Sequence, residues 1–154
     1  MSGRFHRNTH GTSLETGGII IGPKKHKNII TDIVPSSAYA ERKASTYYQS
    51  QDDVDFLNSE LKKFQAKGYD FSGYYHRHPS GMFYLSQGDL QTCESILTNP
   101  DYKINNHLIM CIITESQGNF PVFCYTVSIG KTGINSKLAK ATIMPKQQFP
   151  ERLK

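Results

Sequence analysis

The stretch YDFSGYYHRHP, residues 69–79, holds the pattern around which the fold can be predicted. It is rich in aromatic residues and ends at a proline, which is typical of a β-strand that stops at Pro79. Side chains two residues apart in a strand project to the same side. We therefore expect His76 and His78 to present two imidazoles together, while Arg77 points to the opposite side.

A second polar group follows after a spacer of seven residues, at Ser86-Gln-Gly-Asp89. A serine three residues before an acidic residue and an apolar stretch is typical of a helix start, with Ser86 as the N-cap. Asp89 then lies in the first turn, from which its carboxylate can reach the two histidines. Catalytic zinc sites use three such ligands and leave the fourth position for water. The sequence thus predicts a metal site of His76, His78 and Asp89.

Each part of this pattern also has an ordinary explanation. A His-x-His pair is common on exposed strands, Ser-x-x-Asp is mostly helix capping, and an isolated glutamate such as Glu15 is usually a solvated loop carboxylate. The joint spacing, together with Glu15 in a Glu-x-Gly-Gly sequence before an apolar strand, favours a catalytic site.

The combination resembles the JAMM family, the MPN-plus metalloproteases also called JAB domains, in its Glu-x-Gly-Gly strand, its His-x-His-Pro sequence and its Ser-x-x-Asp helix start. The resemblance implies that His76, His78 and Asp89 bind Zn²⁺. It also implies that Glu15 is the general base acting on zinc-bound water and that Ser86 stabilises the oxyanion. Many relatives have Ser or Thr where this chain has Arg77.

The resemblance further implies the reaction and the partners. We expect a zinc-dependent isopeptidase that cleaves after the C-terminal tail of a ubiquitin-like protein, as a deubiquitinase-like enzyme or in precursor processing. The expected partners are the modifier or its conjugates, with activating and conjugating enzymes of the same system, some of them in antiviral defence. Two alternatives stay open: a non-enzymatic module of the same fold that binds a ubiquitin-like protein, and a DNA-associated protein like RadC, which shares His-x-His-Pro-Ser-Gly.

Two segments are candidates for a substrate groove. The loop 79–85 should lie beside the metal, and its Met82, Phe83 and Tyr84 are candidate contacts. Relatives often carry an insertion that contacts the modifier where this chain has a polar, irregular stretch with Tyr47 and Tyr48. Ordinary loop packing explains these two tyrosines equally well.

The remaining periodicity predicts a mixed fold, and the resemblance implies that it is a single α/β domain of the α+β type, a JAB/MPN-like curved mixed sheet flanked by helices. A helix should begin at Asp52 and end at Gly68, because apolar residues recur in it every three or four positions. A second helix should span about residues 87–98. The expected strands, besides residues 69–76, are Gly18–Ile21 paired as a hairpin with Asn28–Val34, then His107–Thr114 and Phe120–Ser128.

Charge divides the chain into two parts. Residues 131–154 contain six basic residues and one glutamate, whereas residues 1–130 are balanced, so the net charge of +5 arises in the tail. We interpret residues 1–130 as the JAB/MPN-like metalloprotease domain and residues 131–154 as a basic segment, partly packed or flexible. The tail has a single aromatic residue, Phe149, among its charges, which is no stacking platform for bases and does not favour a nucleic-acid partner.

Cysteine content and hydropathy indicate the compartment. The three cysteines form no CxxC pair, which fits reduced thiols, and Cys93 is expected to pack in the core. No run of 18 apolar residues is present, and no apolar signal segment stands at the N-terminus, so we expect no membrane association. The sequence predicts a cytoplasmic protein.

Overall fold

A computed structural model describes residues 16–37, 41–42, 47–48, 51–102, 104 and 106–142 of the chain. Within this part, two helices and a six-stranded sheet form one domain, with a separate two-stranded ladder. The elements in chain order are β1 (Gly17–Pro23), β2 (Asp32–Pro35), β3 (Glu41–Arg42), β4 (Tyr47–Tyr48), α1 (Gln51–Gln65), β5 (Tyr69–Arg77), α2 (Gln87–Thr98), β6 (His107–Ile113), β7 (Val122–Gly130) and β8 (Gly133–Ala139).

The large sheet is mixed, with the strand order β2-β1-β5-β6-β7-β8. Adjacent strands in this sheet are antiparallel except for β5 and β6, which are parallel. A parallel pair needs a crossover connection, and α2 lies in it. The α/β fold of the α+β type predicted from the sequence, a mixed sheet flanked by helices, is confirmed. Neither helix in the described part has the length and apolar character to cross a bilayer.

Apolar residues fill both faces of this sheet. Strand β6 is a continuous apolar run because alternate side chains enter two different clusters. Leu108, Met110 and Ile112 join the cluster that includes Leu57 of α1 and Cys93 of α2. The second cluster, on the other face, consists of Ile20, Tyr75, Ile109, Cys111 and Ile113.

Helix α1 is anchored to the segment after β2 by a buried carboxylate. Asp53 Oδ1 accepts hydrogen bonds from the backbone N–H and the hydroxyl of Ser37, at 2.7 and 2.8 Å. The helix begins with acidic residues and ends with lysines, which suits its macrodipole. The helix predicted from the apolar periodicity is therefore confirmed, and it ends three residues before Gly68.

Several strands differ from their expected bounds or were not expected. Strand β2 pairs with β1 as predicted but begins only at Asp32, because residues 24–28 form turns, with the His26 N–H bonded to Pro23 O. Strands β6 and β7 agree with the prediction to within two residues. Strand β8 was not predicted; it pairs with β7 from Gly130↔Gly133 to Cys124↔Ala139, so the first part of the basic segment is packed in the sheet.

A β-bulge in β5 brings the backbone of that strand very close to β6. The register with β1 shifts between Ile20↔Gly73 and Ile21↔Phe71, which leaves Ser72 as the extra residue. A Cβ atom on Gly73 would lie 1.7 Å from the carbonyl oxygen of Ile109. Only glycine fits here without moving the neighbouring strand.

We predict that Gly73→Ala lowers the free energy of unfolding by about 3 kcal/mol, the upper end for overpacking, because the added methyl group displaces the backbone of β6. Gly88→Ala is the matched control. A Cβ there has its nearest neighbour at 3.7 Å, in the first turn of α2, where alanine favours the helix. Urea denaturation measures both values, and equal stabilities of the two variants would contradict the prediction.

Candidate metal centre

Backbone pairing holds the two histidines at the end of β5. His76 lies between its register partners Gly17 of β1 and Ile112 of β6. Beyond the end of the strand, the N–H of His78 continues the pairing by donating to Ile113 O at 2.9 Å. Both rings are thus carried by backbone that is hydrogen-bonded to its neighbours.

The three residues predicted as metal ligands lie together. The Nε2 atoms of His76 and His78 are 2.5 Å apart. The two carboxylate oxygens of Asp89 lie 2.9 Å from His76 Nε2 and 3.2 Å from His78 Nε2. The side chains of His78 and Asp89 are 4% exposed and that of His76 is 16% exposed. Two histidines at and just beyond the end of a strand and an aspartate in the first turn of a helix therefore present two nitrogens and a carboxylate to one point.

A hydrogen bond orients the ring of His78. Its Nδ1 lies 3.1 Å from the carbonyl oxygen of Met82. Because a carbonyl oxygen only accepts, the proton of a neutral ring belongs on Nδ1 in this arrangement. The lone pair of a neutral ring is then on Nε2, the atom that faces His76 and Asp89, as a metal-binding imidazole requires.

The start of α2 fixes the position of Asp89. Ser86 is the N-cap, and its hydroxyl accepts from the Asp89 N–H at 3.1 Å, while the Ser86 N–H donates to Asp89 Oδ2 at 2.6 Å. This reciprocal pair is a capping box. Burial alone would raise the pKa of Asp89, but the neighbouring imidazoles of His76 and His78 and the hydrogen bond from the Ser86 N–H hold that pKa well below its usual range. The carboxylate is therefore anionic at neutral pH.

The loop 79–85 is attached to the β6–β7 hairpin. The Thr114 hydroxyl donates to Pro79 O at 2.9 Å, and the Tyr125 hydroxyl donates to Phe83 O at 2.8 Å. These bonds hold in place the loop whose Met82 carbonyl oxygen accepts the hydrogen bond from His78 Nδ1. Neither Thr114 nor Tyr125 was singled out in the sequence, because they lie 35 and 42 residues from their partners and no local spacing marks such a contact.

The predicted groove residues of this loop differ in exposure. Met82 and Tyr84 are 52% and 69% exposed, so both are accessible beside the metal centre. Phe83 is half-buried and packs against Phe123, with ring centroids 5.1 Å apart. Phe83 therefore anchors the loop, while its two neighbours face solvent.

Arg77 lies on the side of β5 opposite His76, as alternation predicts. It is buried, and its guanidinium lies 5.3 Å from the centre of the Phe120 ring. Burial lowers its pKa, and the nearby Glu115 carboxylate opposes that shift. Its position on the opposite side separates this cation from the three candidate ligands.

The side chains of three predicted functional residues lie outside the described part of the structure. Glu15 lies outside the described residues, and so do the side chains of Tyr47 and Tyr48, whose backbone forms β4. The neighbouring Thr16 is described and buried, and its carbonyl oxygen accepts from the Arg77 N–H at 2.7 Å. The chain thus enters the sheet at the histidine end of β5.

We predict that the protein binds one divalent ion per chain and that His76→Ala weakens this binding by more than about 100-fold. A loss of about 100-fold is the most expected when only a hydrogen-bonding partner of a metal ligand is removed. Titration with Co²⁺, followed by its visible spectrum, measures the affinity. The control is His107→Ala, since His107 bonds to Asn28 at the far end of the sheet. Equal affinities for the two variants would rule out His76 as a ligand.

The chain is similar to a described protein family and to solved structures. The family described as prokaryotic homologs of the JAB domain matches residues 5–126. A solution structure of a protein from Desulfitobacterium hafniense is similar with a TM-score of 0.59 and 16% identity, over 95% of this chain and 90% of that chain. A solution structure from Salinibacter ruber has a TM-score of 0.49 and 13% identity, over 97% and 87%.

No curated protein matches the chain. At 16% identity the Desulfitobacterium hafniense structure shows similarity of fold alone. The family match is more informative, because it extends over most of the chain and includes both histidines and Asp89. The chain belongs to the family of prokaryotic homologs of the JAB domain.

Proposed function

We propose that the protein is a zinc-dependent isopeptidase or peptidase that cleaves after the C-terminal tail of a ubiquitin-like protein. The JAB domain family includes hydrolases. The observation that carries the proposal is the convergence of two imidazole nitrogens and a buried carboxylate at the end of β5. Such a set of ligands is typical of hydrolytic metal sites that keep one coordination position open.

The chemistry of these residues fits Zn²⁺. Two neutral imidazoles and one carboxylate are ligands that zinc accepts in catalytic sites. Ligands of a tetrahedral zinc ion lie about 3.3 Å apart, given bond lengths of about 2.0–2.1 Å. The distances of 2.5–3.2 Å among these side chains require only small outward movements to reach that geometry. When bound, zinc would act as a Lewis acid and lower the pKa of water to about 7.

Glu15 is proposed to move the proton. Its carboxylate would accept a proton from the attacking water and later give it to the amine nitrogen that leaves, so that the glutamate ends the cycle unprotonated. Its covalent neighbour Thr16 supports this role, because Thr16 is paired through its carbonyl oxygen with Arg77, the residue between the two histidines.

Ser86 is proposed to stabilise the oxyanion of the substrate carbonyl. Its hydroxyl oxygen accepts from the Asp89 N–H, and this bond leaves the hydroxyl proton free to be donated. Ser86 is exposed, so a substrate can approach it. A donor aimed at a developing oxyanion is worth about 3 kcal/mol in the transition state.

An accessible loop beside the metal centre supports the proposed substrate class. An extended tail with small residues allows close approach of backbone to the site. Met82 and Tyr84 are exposed there, on a loop held in place by Thr114 and Tyr125. We propose that Met82 and Tyr84 contact the tail and that Tyr47 and Tyr48 contact the modifier itself. The proposed partners are the enzymes that activate and conjugate this modifier, including those of antiviral systems.

The function is tested with a fusion of a ubiquitin-like protein to a reporter peptide. We predict that wild-type protein cleaves the fusion after the tail, that a zinc chelator abolishes cleavage and that added zinc restores it. Glu15→Gln should lower kcat about 10²–10⁴-fold, the range for loss of a general base, while retaining Co²⁺ binding.

The matched control is Glu60→Gln, since Glu60 lies on α1 and pairs with Lys63. It should leave turnover unchanged. A fully active Glu15→Gln variant would exclude Glu15 as the base. Absence of cleavage by metal-loaded wild-type protein, with retained binding of the modifier, would favour a non-enzymatic module instead.

We further predict that Tyr84→Ala raises KM more than it lowers kcat, because an exposed side chain of the loop binds the tail in the ground state and the transition state equally. Steady-state kinetics on the same fusion separates the two constants. Tyr102→Ala is the control, since Tyr102 is 41% exposed and lies after the far end of α2. A fall in kcat at constant KM would reject a binding role for Tyr84.

A further inference from the structure

Two thiols face each other across β6 and β7. Cys111 and Cys124 are direct register partners in this antiparallel pair, and their Sγ atoms are 2.8 Å apart. Cys111 is buried, whereas Cys124 is half-buried. Both belong to or pack against the cluster of Ile20, Tyr75 and Ile109, on the face of the sheet opposite the helices.

We propose that Cys111 and Cys124 form a redox-active dithiol that a low-molecular-weight disulfide, such as oxidised glutathione, converts into an intramolecular disulfide. This modification site is separate from the metal centre, and the proposal does not depend on the hydrolytic function.

The strand geometry brings the two thiols within reach of a disulfide. Directly opposite residues in an antiparallel pair have Cα atoms about 4.5–5.5 Å apart, which lies within the range of about 4.4–6.8 Å seen in disulfides. The shared register places both side chains on the same face. The sulfur atoms need to approach by only about 0.8 Å to reach the bond length of about 2.05 Å.

The environments of the two thiols assign them different roles. Cys124 is the more accessible, and a hydrogen bond from Cys111 lowers the pKa of Cys124 against the opposing effect of burial. The same interaction, with burial, raises the pKa of Cys111 far above its usual value. Cys124 is therefore the thiol that reacts first, and Cys111 is the one that resolves the intermediate.

The reaction balances as two thiol–disulfide exchanges. The thiolate of Cys124 attacks one sulfur of oxidised glutathione, which forms a mixed disulfide and releases one glutathione thiolate. Cys111 then gives its proton to solvent and attacks Cys124 Sγ, which releases the second glutathione. The protein loses two hydrogens, and one molecule of oxidised glutathione becomes two of reduced glutathione.

The third cysteine provides an internal reference. Cys93 is fully buried in the other apolar cluster, under α2. Burial, with a smaller effect of Asp89, raises its pKa to about 11, so it stays protonated. It shares neither the access nor the facing partner that Cys124 has.

The test exposes the reduced full-length protein to oxidised glutathione, quenches with acid and counts free thiols in denaturant. We predict that the count falls from three to one, that the intact mass falls by two hydrogens with no glutathione adduct, and that dithiothreitol reverses both changes. Cleavage after Glu115, which lies between the two cysteines, should give fragments that separate only after reduction.

Two variants identify the thiols. Cys93→Ser should lose both of its thiols, because the pair that oxidises in the wild type is intact. Cys111→Ser should accumulate one glutathione on Cys124, because the resolving thiol is absent. The proposal is overturned if wild-type protein keeps all three thiols, if it accumulates an adduct in place of the internal bond, or if the bond formed involves Cys93 or a second chain.

Discussion

The parallel pairing of β5 with β6 constrains the position of the metal centre. Parallel neighbours need a long crossover, and here the chain leaves β5 at its histidine end and returns through α2 to the start of β6. The helix packs on the same face of the sheet as Ile112, the register neighbour of His76. Its first turn therefore lies over the end of β5, where Asp89 meets both histidines.

Buried polar groups must find partners, and this requirement orders the surroundings of the three ligands. The second nitrogen of His78 bonds to Met82 O, and Asp89 Oδ2 accepts from the Ser86 N–H. The loop that carries Met82 is held in turn by Thr114 and Tyr125. The side chains are thus oriented by the backbone and by the hairpin before any ligand arrives. Polar groups that are preorganised in this way need not reorient during a reaction.

Elements with local signals could be predicted from the sequence, and those without could not. The bounds of α2 were predicted because Ser86 and Asp89 cap the helix through bonds within four residues of chain. Strand β8 was missed because its residues are mostly exposed and lack clear alternation; its position comes from backbone pairing with β7. The bulge at Gly73 could likewise not be predicted from the sequence, since the need for glycine there comes from the close backbone of Ile109, 36 residues away.

The sequence by itself determined the identity of the candidate ligands, because strand alternation and helix capping act over two or three residues and depend on residue type alone. It also determined the fold class through the periodicity of its apolar residues. Only the tertiary structure decided that Asp89 reaches both imidazoles, that Tyr125 holds the adjacent loop, and that the thiols of Cys111 and Cys124 face each other. These contacts join distant segments, and their geometry depends on strand order and register, which no local pattern encodes.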